Sequence, residues 1–549
     1  MTFRKSILLL ISLCMIAALL ACGGSSSTTT TPPPPPPPPA TGPLPDGNYV
    51  FSLIGEDDTG QYSVAGAFTV SQGAITTGEQ DFVDLPNITY NDMINPTGSS
   101  VTASADGNLT IALATCLATD CTQNDPNIGV TGIETLDASV LPNNPARAFI
   151  TEYDASATGS GELDLQTSTT LPTPPIGYAF ITAGMDSGFC QTALGGVINI
   201  SGATTISTAN SVFDANDCGA PLAAQTFTAA SSVGTVDPFG RVELNLIPTA
   251  NYTQINLIGY IVSSNQIDLV ETTDDNQNFG TTSGIAFSQG TTTGNFTTAS
   301  ASGNTYVTGL KGGDSVSAAL QAATQITPNA DGSVSGFIDF NDLVTVEPAS
   351  PDPVAAPATS YAVDPTGRVT ITGLADNATT PNTFNIQLYL DGNGHALAIT
   401  LDTNDFLAGI GYQQSGAGSF AATSFTGSYA MGATGWDANF QGEMDAVGPV
   451  TATGSSGTFS GDVDLNWFGS AGPVYPDAPV SATFTSNADG IFTGTITGLD
   501  VTTCPLFTTS ATGPCSADLF NYYLIDATGD NIAIETDPNQ LTLGAFAQQ

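Results

Sequence analysis

The chain has 549 residues, of which 50 are acidic and only six are Lys or Arg, so its formal net charge is −44. This imbalance excludes nucleic-acid binding, because phosphate contacts need clusters of basic side chains. It also excludes charge-driven contact with anionic lipid headgroups, and it favours cations or basic partners.

The first 22 residues have the pattern of an export signal. Arg4 and Lys5 precede an apolar run over residues 7–20, and Cys22 follows shortly after. A run of about 14 apolar residues is too short to cross a bilayer as a helix but suits a signal peptide. Residues 19–22, Leu-Leu-Ala-Cys, resemble the lipobox of bacterial lipoproteins. An ordinary secretory signal with an incidental cysteine is the alternative.

The resemblance implies a signal peptide over residues 1–21, cleavage before Cys22 and lipidation of that cysteine. Two or more acyl chains such as palmitate anchor a protein stably in a membrane. In enterobacteria-like systems an Asp directly after the cysteine retains a lipoprotein in the inner membrane. Gly23 stands there instead, so we expect an outer-membrane anchor. The folded part faces either the cell surface or the periplasm.

Residues 22–45 form a linker rich in Ser, Thr and Pro, with eight prolines at 32–39. Such a segment cannot bury a core, and we expect it to be disordered. The prolines favour an extended polyproline rod of about 25 Å. The linker is therefore predicted to be a stalk between the anchor and the folded part.

Four internal repeats follow the linker. Each ends in an Asp, a Gly and a Gln, with the spacing Asp-x6-Gly-x4-Gln in three copies and three extra residues in one. The four copies are Asp154-Gly161-Gln166, Asp274-Gly284-Gln289, Asp402-Gly409-Gln414 and Asp537-Gly544-Gln549. We predict four β domains from this pattern: repeat 1 (46–172), repeat 2 (173–290), repeat 3 (291–416) and repeat 4 (417–549).

The starts of the repeats also agree. Repeats 1, 2 and 4 share an aromatic residue, a Gly and an Asp at equal spacing: Tyr49, Gly55 and Asp57; Tyr178, Gly184 and Asp186; Tyr429, Gly435 and Asp437. For repeat 3 we assign a degenerate start with Phe296, Ser302 and Asn304. The motif Asp-Pro-x-Gly-Arg recurs in the middle of repeats 2 and 3.

Inside each repeat the apolar residues alternate or form short runs separated by turns such as Asp391-Gly392 and Asp489-Gly490. This pattern predicts antiparallel hairpins. The predicted fold class is all-β, with about four tandem antiparallel barrels or sandwiches of seven to nine strands each after a disordered Pro-rich linker. The one weak candidate for a helix lies near residues 316–323. The repeats loosely resemble β-rich surface lipoproteins that are largely uncharacterised.

Six cysteines remain beyond Cys22, and an even number in an exported chain indicates disulfides. Neighbour pairing gives Cys116–Cys121, Cys190–Cys218 and Cys504–Cys515, although sequence alone allows about fifteen connectivities. A zinc site is the less favoured alternative, because there is no Cys-x-x-Cys motif and only one histidine.

No cofactor is expected, with Ca²⁺ as the alternative because hard cations prefer oxygen ligands. Asp274 and Asp275 are the candidate metal ligands. The aspartates that recur at the starts and ends of the repeats could also bind calcium. Because they recur at equal positions, we favour a structural role in which each caps a turn through backbone N–H groups.

Few residues suggest catalysis. His395 is the only histidine and lies in a turn, where we expect it to face solvent. Trp436, Trp467 and Phe468 could form a platform for a sugar, although core positions are the usual place for such residues. Trp436 is the candidate ligand-binding residue, because repeats 1 and 2 have no aromatic residue at the equivalent position.

We therefore interpret the chain as a membrane-anchored extracytoplasmic lipoprotein with a non-catalytic role in surface binding, adhesion or envelope structure. A lipoprotein that binds or hydrolyses glycans is the alternative. The expected partners are the membrane, through the anchor, and an unidentified glycan or protein. With Arg147, Arg241, Lys311 and Arg368 as its only bases after signal removal, the folded part should resist trypsin.

Overall fold

The structure is a computed structural model that describes residues 43–84, 88–104, 107–117, 121–154, 156–186, 190–272, 280–314, 319–343, 351–355, 359–378, 381–437, 442–468, 474–499, 515–538 and 540–548. The residues from Gly42 to Gln549 form one compact unit. The predicted signal peptide, Cys22 and residues 23–42 of the predicted linker lie outside the described residues. Leu44, near the end of the predicted linker, is 2% exposed and belongs to the core of repeat 1, so the folded part begins before residue 46. The described part is built almost entirely from antiparallel strands in four sheets.

Repeat 1 contains a nine-stranded sheet in which an additional pairing of β4 with β6 closes strands β4-β3-β2-β1-β9-β8-β7-β6 into a ring. Its strands are β1 Gly47–Asp57, β2 Gln61–Ser71, β3 Ala74–Asp84, β4 Ile88–Ile94, β5 Ser100–Ala103, β6 Leu109–Cys116, β7 Ile133–Leu141, β8 Asn144–Tyr153 and β9 Ala157–Leu165.

Repeat 2 contains a ten-stranded sheet that the pairing of β10 with β11 closes in the same way, with β13 and β14 outside the ring. Its strands are β10 Ile176–Met185, β11 Gln191–Gly202, β12 Thr205–Ile206, β13 Val212–Asp217, β14 Ala220–Gln225, β15 Ser232–Val233, β16 Arg241–Leu246, β17 Ile255–Ile261, β18 Gln266–Thr272 and β19 Thr281–Ser288.

Repeat 3 contains an eight-stranded sheet in the order β22-β21-β20-β27-β26-β25-β24-β23. A bridge between Ser333 and Ser360 joins its two flanks. A 3-10 turn (Gly290–Thr292) and a short α-helix (Thr298–Ala301) come first. The strands are β20 Tyr306–Asp314, β21 Leu320–Pro328, β22 Val334–Asn341, β23 Ser360–Val363, β24 Arg368–Ala375, β25 Thr383–Leu390, β26 His395–Thr400 and β27 Asp405–Gln413.

Repeat 4 is a closed barrel of eight strands in consecutive order, preceded by a 3-10 turn (Ala422–Ser424). Its strands are β28 Gly427–Asp437, β29 Gly442–Thr453, β30 Thr458–Trp467, β31 Val474–Thr485, β32 Ile491–Thr497, β33 Ala517–Leu524, β34 Asn531–Glu535 and β35 Gln540–Ala547. The all-β prediction is confirmed, and each sheet falls inside one predicted repeat.

Two local predictions for repeat 3 are wrong. The weak helix candidate near residues 316–323 runs into strand β21, and residues 315–318 are not described. The start of the repeat is Tyr306, Gly312 and Asp314 on β20, which has the spacing seen in the other repeats. Phe296 and the helix after it belong to an extra segment before that strand. Because of this segment, the sequence analysis placed the start of repeat 3 at Phe296, ten residues before its true position at Tyr306.

Many strands, such as β2 and β11, are buried on both faces, and this explains why their apolar residues form runs. In β2, Tyr62, Val64 and Phe68 point into the core of repeat 1. The alternate residues Ala65 and Ala67 are also fully buried, because they pack against repeat 2. Side chains of successive strand residues point to opposite faces. The outer faces of the sheets therefore bury apolar surface between repeats.

The repeats pack side by side through apolar contact faces, which we call junctions 1/2, 2/3, 3/4 and 4/1 after the repeats they join. Buried clusters fill the first three. They include Val50 and Val83 with Ile258 and Val270 at junction 1/2, Ile181 and Phe287 with Leu397 and Ile399 at junction 2/3, and Val307 and Ala323 with Ile491 and Ile534 at junction 3/4.

A buried ion pair crosses junction 1/2. Arg241, at the start of β16, donates from Nε and Nη2 to the two carboxylate oxygens of Asp81 at 2.7 and 2.8 Å. The hydroxyl of Tyr260 donates to the same carboxylate at 2.6 Å. Burial disfavours the charge of Arg241, but the hydrogen bonds and charge of Asp81 outweigh it and raise the pKa of the guanidinium. The pair fixes both the contact and its register.

Junction 2/3 repeats this arrangement. Arg368 donates from Nε and Nη2 to Asp214 at 2.6 and 2.7 Å, and the Tyr389 hydroxyl donates to Asp214 at 2.7 Å. Both arginines come from the recurring Asp-Pro-x-Gly-Arg motif. At both junctions the earlier repeat supplies the aspartate and the later repeat supplies the arginine and the tyrosine. The contact is therefore head-to-tail.

Junctions 3/4 and 4/1 keep the aspartate and replace the arginine. Asp339 accepts from the side-chain amide of Asn521 at 2.5 Å and from the Tyr523 hydroxyl. Asp464 accepts from the side-chain amide of Asn108 at 2.7 Å. Asn108 lies in repeat 1, so the last repeat contacts the first. The four repeats close into a ring of head-to-tail contacts.

Asparagines two residues after these aspartates make a second set of junction contacts. Each side-chain amide donates to three backbone carbonyls in the loop that ends the next repeat: Asn216 to Thr400, Asp402 and Asp405; Asn341 to Glu535, Asp537 and Gln540; Asn466 to Glu152, Asp154 and Ala157. Repeat 1 has Val83 at the equivalent position.

The glutamines that end the repeats make the third set. Each side-chain amide donates to backbone carbonyls of the following repeat: Gln166 to Phe239 and Ile261, Gln289 to Thr366 and Leu390, and Gln414 to Leu524. The recurrence of this glutamine in the sequence therefore reflects contacts between repeats.

Candidate functional site

A cavity of about 810 Å³ lies where the four sheets meet. All four repeats line it, including Ile54 and Phe149 of repeat 1, Ile181 and Met185 of repeat 2, Ile410 and Tyr412 of repeat 3, and Trp436 and Leu543 of repeat 4. Its size and mainly apolar lining match those of small-molecule binding sites. We call it the central cavity.

A group of charged side chains from three repeats forms one part of its wall. Lys311 on β20 lies 3.8 Å from the carboxylate of Glu443 on β29, and Glu56 on β1 also lines the cavity. Burial, and then the charge of Asp445, raise the pKa of Glu443 well above its usual value, although Lys311 opposes this. Lys311 is therefore the one basic group that offsets the acids at this part of the wall.

Trp436 lies on the cavity wall, half-buried, directly across the strand pair from Glu443. Directly opposed residues of an antiparallel pair share one face of the sheet. The indole and the Glu443 carboxyl group therefore stand side by side. Trp467, the other tryptophan, is buried in the core of repeat 4, so only Trp436 of the two lines the cavity.

A second charged group lies beside the cavity. Arg147 forms ion pairs with Glu162 and, at 3.5 Å, with Asp164, and Glu162 lines the cavity. Tyr412 of repeat 3 lies next to this group, and burial together with the charge of Glu162 raises its pKa to about 12. All four bases of the described chain therefore stand in the junctions or at the cavity.

The structure pairs two of the predicted disulfides. Cys116 bonds Cys121 and Cys190 bonds Cys218, with Cα–Cα distances of 5.0 and 5.5 Å. The Cys190–Cys218 bridge forms part of the cavity wall. Cys515 is also disulfide-bonded. Its predicted partner Cys504 lies outside the described residues.

His395 is largely buried and engaged. Its Nδ1 lies 2.7 Å from the carboxylate of Asp391, and its ring stacks on Phe287 with centroids 4.1 Å apart. The side chain is 31% exposed. The expectation of a solvent-facing histidine is therefore wrong. The ring packs at junction 2/3, where Asp391 fixes its orientation and Phe287 of repeat 2 covers one of its faces.

Two of the recurring aspartates, Asp57 and Asp154, cap turns in the described part of the chain. Asp57 accepts from the backbone N–H groups of Thr59 and Gly60 at 2.8 and 3.0 Å, and Asp154 accepts from that of Ser156 at 2.7 Å. The candidate metal ligands Asp274 and Asp275, and Cys22, lie outside the described residues. They remain predictions.

Sequence reasoning missed the residues that surround Trp436. Lys311, Glu56 and Glu443 are more than one hundred positions apart from each other in sequence, and no local motif marks them. One signal was present: Lys311, one of the four bases after the signal peptide, directly follows the sequence Tyr-Val-Thr-Gly-Leu at residues 306–310. A lone cation in a half-buried strand needs a partner or a site.

No family model matches the sequence, and no curated protein matches it. Among solved structures the chain is similar to a double mutant of transferrin binding protein B from Haemophilus parasuis, at 8% identity over 92% of this chain and 95% of that chain, with a TM-score of 0.19. It is also similar to a putative AttH from Nitrosomonas europaea, at 12% identity over 44% and 92%, with a TM-score of 0.17.

Kievitone hydratase from Nectria haematococca is a further match, at 8% identity over 45% of this chain and 90% of that chain, with a TM-score of 0.17. At these scores the matches support no inference about ligand or activity. Within the described part of the chain, none of the helices has the length and hydrophobicity needed to span a bilayer.

Proposed function

We propose that this chain is a lipid-anchored, extracytoplasmic binding protein with a non-catalytic role, and that its ligand occupies the central cavity. The observation that carries the proposal is a cavity of about 810 Å³ to which every repeat contributes.

The lining defines the class of ligand. Most of it is apolar, and Trp436 offers an aromatic face. The charged groups at the wall include Glu56, Glu162, Asp314 and Glu443 but a single lysine, Lys311. Such a wall disfavours anions. The ligand is therefore a neutral or cationic molecule with an apolar body and a few hydrogen-bonding groups.

The anchor in this proposal rests on the resemblance of residues 19–22 to a lipobox. Lipidation at Cys22 would hold the ring at the outer membrane on the Pro-rich stalk. Labelling cells with an alkyne analogue of palmitate should mark the wild-type chain but not Cys22→Ala. Proteinase K treatment of intact cells, with a periplasmic protein as control, then distinguishes the cell surface from the periplasm.

Binding can be tested with the tryptophan that lines the cavity. In a Trp467→Phe background, Trp436 is the only fluorophore of its kind. Titration with N-phenyl-1-naphthylamine, a neutral apolar dye, should quench Trp436 and saturate at one dye per chain. Glycans and cationic amphiphiles that compete with the dye would then narrow the ligand class.

A filled cavity is the matched comparison. Ala183 lines the cavity on β10, and Ala183→Phe should weaken dye binding at least tenfold. Ala362 is exposed on β23, and Ala362→Phe should leave it unchanged. Equal binding by both variants would place the dye elsewhere and contradict the proposal.

A glycan ligand is the second candidate, because Trp436 stands directly across the strand pair from Glu443. Aromatic faces and carboxyl groups both contact sugars in binding sites. Under this alternative Trp436→Ala abolishes stabilisation by glycans. If the carboxyl groups also hydrolyse a glycan, Glu443→Gln or Glu56→Gln abolishes product formation while glycan binding persists.

A further inference from the structure

Repeat 1 contains an acidic pocket that is separate from the central cavity. It has a volume of about 250 Å³, and Asp57, Tyr62, Asp84, Glu134 and Glu152 are among its lining residues. None of the described residues that line it is Lys or Arg. The four bases of the folded part are at the junctions or the central cavity, so this pocket lacks a protein cation.

Two glutamates in this pocket are buried. Glu134 is 2% exposed and Glu152 is 1% exposed. Among the described residues, none of their four carboxylate oxygens has a hydrogen bond of normal geometry, and neither has the hydroxyl of Tyr62. The side chain of Gln80 is the polar neighbour of Glu134. Buried polar groups are almost always paired with protein, water or an ion. A bound ligand would supply what these oxygens lack.

The acids of this pocket stand together without a balancing positive charge. Asp57, Asp84, Glu134 and Glu152 all line it. Adjacent carboxylates repel one another unless a positive charge stands between them.

Repeat 4 carries the same arrangement at equivalent positions. Glu535 pairs across the strands with Phe520, as Glu152 pairs with Leu136. Asp518 and Asp537 then correspond to Glu134 and Asp154. One carboxylate oxygen from each of Asp518, Glu535 and Asp537 lies within 4.8 Å of the other two. This spacing suits three ligands of one ion.

Repeat 3 shows the same loop without the cluster. The position of Glu152 is taken by Thr400, whose hydroxyl donates to the Asp405 carbonyl at 2.8 Å. Asp402 accepts from the backbone N–H and the side-chain amide of Asn385 at 2.7 and 2.6 Å. The loop therefore folds with its aspartate fully paired, and the acid clusters of repeats 1 and 4 are not needed to form it.

We propose that repeats 1 and 4 each bind one divalent cation, with Glu134 and Glu152 as ligands in the acidic pocket of repeat 1 and Asp518, Glu535 and Asp537 in repeat 4. Ca²⁺ is the cation that fits, since all donors are oxygens and both sites lie at loop ends that can supply further carbonyl or water ligands. The sites are independent of the central cavity, so they stand whether or not that cavity binds a ligand.

Calorimetric titration of the whole mature chain with CaCl₂ after chelator treatment tests the proposal. Wild type should bind two Ca²⁺ per chain, with dissociation constants of about 10⁻⁴–10⁻³ M as in extracellular modules. Glu152→Gln and Asp518→Asn should each bind one, and the double variant none. Each single variant keeps one unaltered site, and Ca²⁺ binding at that site shows that the variant still folds.

Asp462, an exposed residue on β30, provides the control, and Asp462→Asn should still bind two ions. Glu152→Gln should also raise the melting temperature of the calcium-free protein, because it removes a repulsive charge. No Ca²⁺ binding by wild type overturns the proposal, as does a Glu152→Gln variant that still binds two. Equal binding of Mg²⁺ would overturn the assignment to calcium.

Discussion

Arg241 and Asp81, 160 positions apart in the sequence, form a two-pronged ion pair between neighbouring repeats. Arg368 and Asp214 form the same pair at the next junction. In a chain with six bases, two are thus used to join repeats. The acidic composition therefore leaves few cations for the surface.

Replacing Arg241 by Met should destabilise the ring by about 3–5 kcal/mol, because Asp81, whose side chain is fully buried, would lose its cationic partner and keep only the Tyr260 hydroxyl across the junction. Urea unfolding followed by circular dichroism measures this. Glu243→Gln is the control, since Glu243 is 67% exposed and a surface change costs within about 0.5 kcal/mol. A small loss for Arg241→Met, similar to the control, would contradict a structural role.

The terminal glutamine of repeat 2 provides a second test of the junctions. Gln289 is 1% exposed and donates to two carbonyls of repeat 3 at 2.8 Å. Gln289→Ala should cost about 1–3 kcal/mol, since both acceptors stay buried. Gln413→Ala, an exposed neighbour of the next such glutamine, should be nearly neutral. The two variants should differ clearly in their urea midpoints.

Stability should fall as pH rises from about 5 to 8. Burial raises the pKa of Glu134 to about 7, and burial with the charge of Asp164 raises that of Asp268 to about 8. These groups keep their protons in the folded state while the unfolded chain loses them. Their contribution is complete below the unfolded pKa and disappears as pH passes the folded pKa.

Melting temperatures measured at low salt between pH 5 and 8 test this dependence. Asp268→Asn should reduce the slope, and the exposed Asp462→Asn should leave it unchanged. A melting temperature that rises over this range would contradict the pKa assignments.

Trypsin should cleave the folded chain slowly. The side chains of Arg147, Arg241, Lys311 and Arg368 are 29%, 13%, 35% and 13% exposed, and all four lie in strands. A protease needs an extended, accessible segment, so cleavage requires local unfolding. Gel analysis over hours should show an intact chain, whereas proteinase K should trim the loops. Rapid trypsin fragmentation would refute the closed ring.

Much of the architecture was readable from the sequence. The four copies of Asp, Gly and Gln predict the four sheets, because they mark one loop and one strand that each repeat must form. At Gly161 an added Cβ would lie 1.9 Å from the Ser52 carbonyl oxygen, which explains why that position is glycine. The start of repeat 3 was misplaced because the extra segment around Phe296 imitates an aromatic strand start.

The ring and its cavity could not be predicted from local patterns. Strand periodicity reports which residues are buried, but it does not say whether an outer face is covered by another repeat. The partners of Trp436 come from repeats 1 and 3, and only the closed ring brings them together. The Asp-x-Asn pair at Asp214, Asp339 and Asp464 was a visible signal, since it recurs on equivalent strands.

Head-to-tail faces either close on themselves or continue into a filament. In this chain Asn466 of repeat 4 binds the loop near the end of repeat 1. The ring therefore closes after four repeats. A chain shortened by one repeat would expose two complementary faces with nothing to cover them. Such a fragment should polymerise, because a head-to-tail series that is one repeat short cannot cover its own two ends.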